Sequence, residues 1–340
     1  MFAPRFATYD PAARTFVHHD TADPDPERRA TALTTAYSEE TLITRFDADG
    51  APTSSSTEPS LMATMLHALD AQPGHRVLEI GTGYNAALLC HALGPHNITT
   101  IDVDPDLVTA ARAALATAGY HPAVVHSDGA AGVPDRAPFD RIIATCGVDR
   151  VPAAWLTQLA PGGAILVNIS KGIALLRHHN DDHGTTGRFL NSAGFMPLRS
   201  PDDHARWDSQ QILRTTAAEP DTTQSTAPPP DIDFATAAFF ANLIAPRGQL
   251  VFVNGSNDKP SSYRWVHSPS QSWARIDLGE TQAIVSQTGS RRLWAELAPV
   301  LDSWHTNGRP GIDRHGLTIT NDGQHILWLD QPIQVISMLS

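Results

Sequence analysis

From Leu61 onward apolar residues recur at helical spacing. Leu61, Met62, Met65, Leu66 and Leu69 share one face, and Gly74 ends the run. The pattern then changes to short apolar runs alternating with amphipathic ones. Residues 76–80, 98–103, 123–126, 139–144 and 164–169 read as strands, and residues 86–93 and 107–118 as helices. Strands alternating with helices predict an α/β fold: a parallel, doubly wound, Rossmann-like sheet with helices on both faces. In that class ligands bind beyond the carboxyl ends of the strands.

The flanking regions are less regular. Residues 1–57 are rich in Asp, Thr and Pro, and residues 20–27 read as a polar loop. Residues 217–231, with Pro228-Pro229-Pro230, read as a proline-stiffened linker. Beyond it lie an apolar segment at 234–244 and strands at 249–253, 263–267, 283–287, 317–320 and 326–329. A helix at 292–305 interrupts them. The expected organisation is an N-terminal segment at 1–60, a doubly wound domain at 61–216, a linker, and a smaller C-terminal α+β domain at 232–340. That last domain holds Trp265, Trp273, Trp294, Trp304 and Trp328, expected mainly as core, with some lining a peptide groove.

Composition narrows the partners. With 36 acids against 24 Lys and Arg, the net charge is −12. This disfavours nucleic acid, whose phosphates need a basic surface, but leaves room for a basic peptide. No apolar run approaches the roughly 20 residues that span a bilayer. The opening Met1-Phe2-Ala3-Pro4-Arg5-Phe6 lacks the apolar stretch of a signal peptide. Cys90 and Cys146 cannot form a disulfide framework and are expected as buried thiols in a reducing cytoplasm. The clusters His178-His179-Asn180-Asp181-Asp182-His183 and His18-His19-Asp20 place neighbours in loops that do not converge on one ion, so no metal is expected.

Chemistry concentrates after the first core strand. Glu79-Ile80-Gly81-Thr82-Gly83 joins a strand to a helix, and glycines there allow a tight turn and close approach of a ligand. The third glycine of a dinucleotide fingerprint is replaced by Ala86. An acid in the turn suits a cation better than a phosphate. Both points favour a nucleoside such as S-adenosylmethionine over a dinucleotide. Asp102, about 20 residues on, ends the second strand where a carboxylate can accept from ribose hydroxyls. Asp128, before Gly129, ends the third strand, where it can accept from an adenine amino group. Three acids at three successive strand ends are expected to form one rim, the alternative for Asp102 and Asp128 being turn or cap residues. The expected cofactor residues are Glu79, Gly81, Thr82, Gly83, Asn85, Asp102, Val103, Asp128 and Gly129.

On Val77-Leu78-Glu79-Ile80-Gly81-Thr82-Gly83, Ile101-Asp102-Val103-Asp104-Pro105, Asp128-Gly129, residues 138–145 and Leu159-Ala160-Pro161-Gly162-Gly163, the chain resembles the protein-L-isoaspartate O-methyltransferase family. The resemblance covers about residues 1–200. It implies a class I methyltransferase fold, S-adenosylmethionine as donor, and an isoaspartyl carboxylate as acceptor. Three departures stand out. The Ser-Gly that family members carry in the glycine loop is missing, since Tyr84-Asn85 follow Gly83 directly. Thr57 stands where the family has its functional serine, and Glu58 where it has glutamine. The family's repair enzymes are expected to lack a region like 232–340.

Residues 54–61, 187–190, 194–198, 292–294 and 308–311 also resemble the methyltransferases of peptide-maturation systems, of graspetide or lanthipeptide type. That likeness implies a ribosomally made precursor peptide, linear or already macrocyclised, whose aspartate is esterified and then closes to an aspartimide. An aspartate is already ionised at neutral pH and needs no general base. Ser55, Ser56 and Thr57, in a loop before a helix, are expected to hold it with hydroxyl and backbone donors, helped by the helix N–H groups near Ser60. A helix cap is the plainer reading of the serine run.

Overall fold

The apolar runs fold into the strands and helices of two separate units in the computed structural model, which describes residues 4–179, 184–199, 208–255 and 260–339. The first unit comprises Met1–Gly147, Pro152–Val167 and Phe195–Pro201; the second comprises Val148–Val151, Asn168–Gly194 and Asp202–Ser340. The division is therefore not sequential: residues 168–194 group with the C-terminal part of the chain.

In chain order the first unit holds β1 (Arg5–Asp10), β2 (Thr15–Asp20), α1 (Pro26–Ala36), β3 (Leu42–Phe46), β4 (Pro52–Ser56) and α2 (Pro59–Leu69). The alternating part follows: β5 (Val77–Ile80), α3 (Tyr84–Leu93), β6 (Ile98–Asp102), α4 (Pro105–Thr117), β7 (Ala123–His126), β8 (Phe139–Val148), α5 (Ala153–Gln158) and β9 (Leu159–Ile169). Its strands lie in the order β9-β8-β5-β6-β7. β5 pairs in parallel with β6 and with β8, and β6 with β7. The chain runs outward from β5 to β7 and then returns to β8 on the other side of β5. Diverging connections at β5 and β8 open a crevice beyond their carboxyl ends.

Local chemistry sets these elements. β5 is buried at all four residues, as a central parallel strand must be. α4 starts at Asp104, whose carboxylate accepts from the Asp106 and Leu107 N–H groups, with Pro105 in the first turn where its missing donor is harmless. α4 then buries Val108, Ala111 and Leu115. Ile142, Ile143, Ile165, Leu166 and Trp155 fill the middle of the unit with no exposure.

Residues 4–57, expected to be mixed with a polar loop at 20–27, carry four strands and a helix. β1 to β4 form an antiparallel sheet of order β2-β1-β3-β4, with β4 at an edge. β2 reads Thr-Phe-Val-His-His-Asp and has no buried residue, so it carries no apolar alternation to reveal it.

The second unit holds β10 (Gly172–His178), β11 (Thr185–Ser192), α6 (Ser209–Thr215), β12 (Thr222–Thr226), α7 (Phe234–Ile244), β13 (Gly248–Asn254) and β14 (Pro260–His267). It continues with β15 (Ser272–Leu278), β16 (Ala283–Thr288), α8 (Leu293–Thr306), β17 (His315–Ile319), β18 (His325–Leu329) and β19 (Val335–Leu339). One run of strands is ordered β19-β18-β17-β11-β10, and a second sheet β12-β16-β15-β14-β13. β12 lies within the expected linker; its Thr-Thr-Gln-Ser-Thr run suits a pleated surface and pairs antiparallel with β16. Trp265, Trp273, Trp294, Trp304 and Trp328 are all buried, which makes them core.

Ile142 tests whether the sheet is the first unit's core. Ile142→Ala should lower unfolding stability by roughly 2–5 kcal/mol, measured by urea denaturation. A loss below about 1 kcal/mol would mean that the strand is not packed as described.

Candidate functional site

The turn after β5 is built around a glycine no other residue can replace. Gly81 sits at φ 91°, and a Cβ there would lie 2.6 Å from Thr145 Oγ1. Its N–H donates to the Ile101 carbonyl at 2.9 Å. The Thr145 hydroxyl, on β8, lies 3.0 Å from the Ile80 carbonyl and 3.2 Å from that of Gly81. Gly83 faces open space, where a Cβ would meet nothing within 4 Å. The Thr82 hydroxyl is buried and has no hydrogen-bond partner.

Beneath this turn lies a buried polar triad. Glu79 is 0% exposed; it accepts from Asn85 Nδ2 at 2.8 Å and from Thr100 Oγ1 at 2.6 Å. Desolvation outweighs those two bonds and pushes its carboxyl up from 4.5 to about 8. Asn85 is itself buried, and its Oδ1 is left with no partner. Tyr84, in the same turn, donates its phenol to the Thr57 carbonyl at 3.0 Å, tying the glycine turn to the residue after β4. Burial pushes that phenol up to about 12.

Two cavities flank the turn. The larger, about 840 Å³, is lined by Glu79, Gly81, Thr82, Gly83, Tyr84, Asn85 and Thr145 on one side and by Ser54, Ser55, Ser56 and Thr57 on the other. The smaller, about 90 Å³, is lined by Gly81, Thr82, Asp102, Val103, Gly129 and Cys146, with Met196 to Arg199 across it. Ser54 and Ser55 line both.

The expected rim of three acids is not formed. Asp102 lines the smaller cavity, where its carboxylate accepts from the Thr82 N–H at 3.4 Å and the Asp104 N–H at 3.0 Å. Glu79 lines the larger cavity instead, with its carboxyl buried in the wall. Asp128 lines neither cavity; its carboxylate accepts from the Ala130 N–H at 2.8 Å and so caps a 3-10 turn. Gly129, next to it, has no room for a Cβ, which would come within 2.9 Å of both Ile80 and Leu198. Val103 presents its carbonyl 3.1 Å from His126 Nε2.

Ser55 and Ser56 lie on the edge strand β4 rather than in a loop, with Thr57 just beyond it. The neighbouring Ser54 hydroxyl accepts from Thr44 at 2.9 Å. The Ser60 N–H, expected to hold an incoming anion, already donates to the Glu39 carboxylate at 2.9 Å. A carboxylate of the chain thus occupies that helix terminus. Among the described residues no group of three or more metal-ligating side chains converges; Asn180 to His183 lie outside them. No helix among them is long and apolar enough to cross a membrane.

Sequence reasoning missed Thr145, Tyr84, Arg45 and Arg199. Thr145 was findable, since it sits at the carboxyl end of β8, beside the point where the connections diverge. Arg45 bonds Asp104 at 2.6 Å across 59 residues of sequence, a pairing that no local pattern encodes.

The Glu79 carboxyl carries a stability consequence. Its folded pKa lies above the ordinary one, so the folded state holds the proton more tightly. The stabilisation is complete below about 4.5 and is lost as pH rises towards about 8. Glu79→Gln keeps a neutral group of the same shape, so thermal melts should show the wild type losing more stability than the variant between roughly pH 5 and pH 8. Parallel curves would show that the carboxyl is not buried in its neutral form.

Residues 29–202, just over half of the chain, match the family model described as Protein-L-isoaspartate(D-aspartate) O-methyltransferase (PCMT). A Protein-L-isoaspartate O-methyltransferase from Thermotoga maritima is 37% identical over 136 residues, 39% of this chain and 43% of that protein. One from Methanopyrus kandleri is 39% identical over 116 residues, 33% of this chain and 51% of that protein. The chain thus spans about half the length of these relatives. A solved structure of a protein-L-isoaspartate O-methyltransferase, 20% identical, matches with a TM-score of 0.52 over 91% of this chain and 90% of its own. That share exceeds what the first unit alone could supply, so the likeness of fold to that structure extends into the second unit. The diverging sheet, with its glycine turn under the carboxyl end of β5, is the class I methyltransferase fold, and the chain belongs to the protein-L-isoaspartate(D-aspartate) O-methyltransferase family.

Proposed function

We propose that the chain is an S-adenosylmethionine-dependent O-methyltransferase that esterifies an aspartate-type carboxylate of a peptide. The acceptor is an aspartate in a ribosomally made precursor, whose methyl ester then closes to an aspartimide. The observation that carries the reading is the pair of unsatisfied buried groups at the glycine turn, Asn85 Oδ1 and Thr82 Oγ1, facing the hydroxyls of β4 across one cleft. Buried polar groups are normally paired, so orphans at a cleft wall mark where a ligand completes the bonding. The donor's ammonium and hydroxyls match them: Asn85 Oδ1 can accept from the ammonium, Asp102 from ribose hydroxyls, and Gly83 leaves the turn open.

When bound, the donor supplies an activated methyl group to a carboxylate oxygen. The chain's own residues bind, orient and exclude water. Ser55, Ser56 and Thr57 offer hydroxyl donors to the acceptor, and Tyr84 fixes the Thr57 carbonyl so that this segment stays facing the turn. No residue takes a proton, because an aspartate is already ionised at neutral pH.

Isoaspartyl repair is the second reading, favoured by family membership. The departures at Thr57 and Glu58 support the peptide-maturation reading. Intact mass spectrometry after incubation with S-adenosylmethionine separates them. The first expects a methyl gain followed by methanol loss on the precursor peptide encoded beside the gene, linear or pre-cyclised, and none on an isoaspartyl test peptide. Methylation of the isoaspartyl peptide alone would establish repair instead. Thr57→Ala should lower turnover by roughly tenfold, about 1.4 kcal/mol, while donor affinity measured by calorimetry stays within about twofold. Equal losses in both would remove Thr57 from the acceptor site.

A further inference from the structure

The cavity beside Asp102 is about 90 Å³, while ligand sites for small molecules begin near roughly 300 Å³. A nucleoside therefore cannot enter it as it stands. The segment Met196 to Arg199 forms one of its walls. Two backbone bonds hold this segment to the end of β8: the Gly147 N–H donates to the Met196 carbonyl at 2.8 Å, and the Leu198 N–H to the Gly147 carbonyl at 2.7 Å. Leu198 then presses on Gly129, and Arg199 reaches the acids after β6. Its guanidinium lies 3.5 Å from Asp102 Oδ1 and 3.8 Å from Asp104 Oδ2.

The two arginines at these acids are not equivalent. Arg45 binds Asp104 at 2.6 Å and Asp106 at 3.3 Å, and Asp104 also caps α4. That pairing holds the fold. The two side chains are about equally exposed, 35% and 34%, but among the described residues Arg199 makes only the longer contacts, so its hold is the weaker and more releasable one.

We propose that Arg199 is a latch over the nucleoside half of the site: in the free chain it holds the carboxylate that a ligand's ribose hydroxyls would use, and binding requires its release. The inference rests on the donor reading above. With Arg199 removed, Asp104 stays neutralised by Arg45, and Asp102 keeps the N–H groups of Thr82 and Asp104. The Asp102 carboxylate then awaits hydroxyl donors.

The test uses S-adenosylhomocysteine, which carries no net charge at neutral pH, so salt does not act through long-range steering. Stopped-flow binding is measured for the wild type, Arg199→Gln and Arg199→Lys over a salt series, with circular dichroism confirming the fold. Arg199→Gln should bind roughly fivefold faster and correspondingly tighter, the factor expected for losing a partly exposed ion pair. Wild-type association should speed up with added salt, while that of Arg199→Gln stays flat and Arg199→Lys falls between them. Equal or weaker binding by Arg199→Gln overturns the latch and leaves the donor reading standing. Absence of binding by every variant overturns both. If Arg199→Gln does not fold, the wild-type salt series decides alone: an association rate that is flat or falls with salt overturns the latch.

Discussion

A carboxyl carried into the core by β5 fixes the centre of the first unit. Among the described residues the Glu79 carboxyl accepts hydrogen bonds from Asn85, in the first turn of α3, and from Thr100 of β6. A buried acid without partners is strongly unfavourable, so these three elements must meet at one point. Once they do, the chain between them has no freedom left except the sharp turn at Gly81. The turn's shape follows: Thr145 closes it from β8, Thr82 has its hydroxyl stranded, and Gly83 leaves space. The same residue that satisfies Glu79 through one end of its amide leaves the other end buried without a partner.

Much of this was legible because core parallel strands announce themselves. Val77-Leu78-Glu79-Ile80 is wholly apolar but for one acid, and such an acid in a buried strand can only be functional or paired. The glycine turn and the helix at 292–305 were equally visible, since each rests on a local pattern. Asp128 shows the limit. Its position in the sequence fits a ligand acceptor and a turn cap alike, and only the Ala130 N–H decides what its carboxylate does here.

The rest was illegible for a physical reason. The sheet of β1 to β4 is polar on much of its surface, so burial leaves little trace in residue type. The serines of β4 read as a loop because Pro, Thr and Ser favour turns, yet their pairing with β3 makes them an edge strand. Long-range ion pairs such as Arg45 with Asp104 have no sequence signature. Glu39 at the start of α2 is a similar case: an anion site expected for a ligand was already filled from within the chain.

Cys146 gives the smaller cavity a property of its own. Sulfur is a better nucleophile towards an alkylating centre than a carboxylate is, so on the proposed donor reading a thiol in this wall invites self-alkylation. Burial, with Asp102 adding to it, pushes this thiol up to about 12. At neutral pH the reactive thiolate is then almost absent. On the same reading, the chain keeps a soft side chain in the cavity wall while withholding the ionised form that would compete with the proposed acceptor.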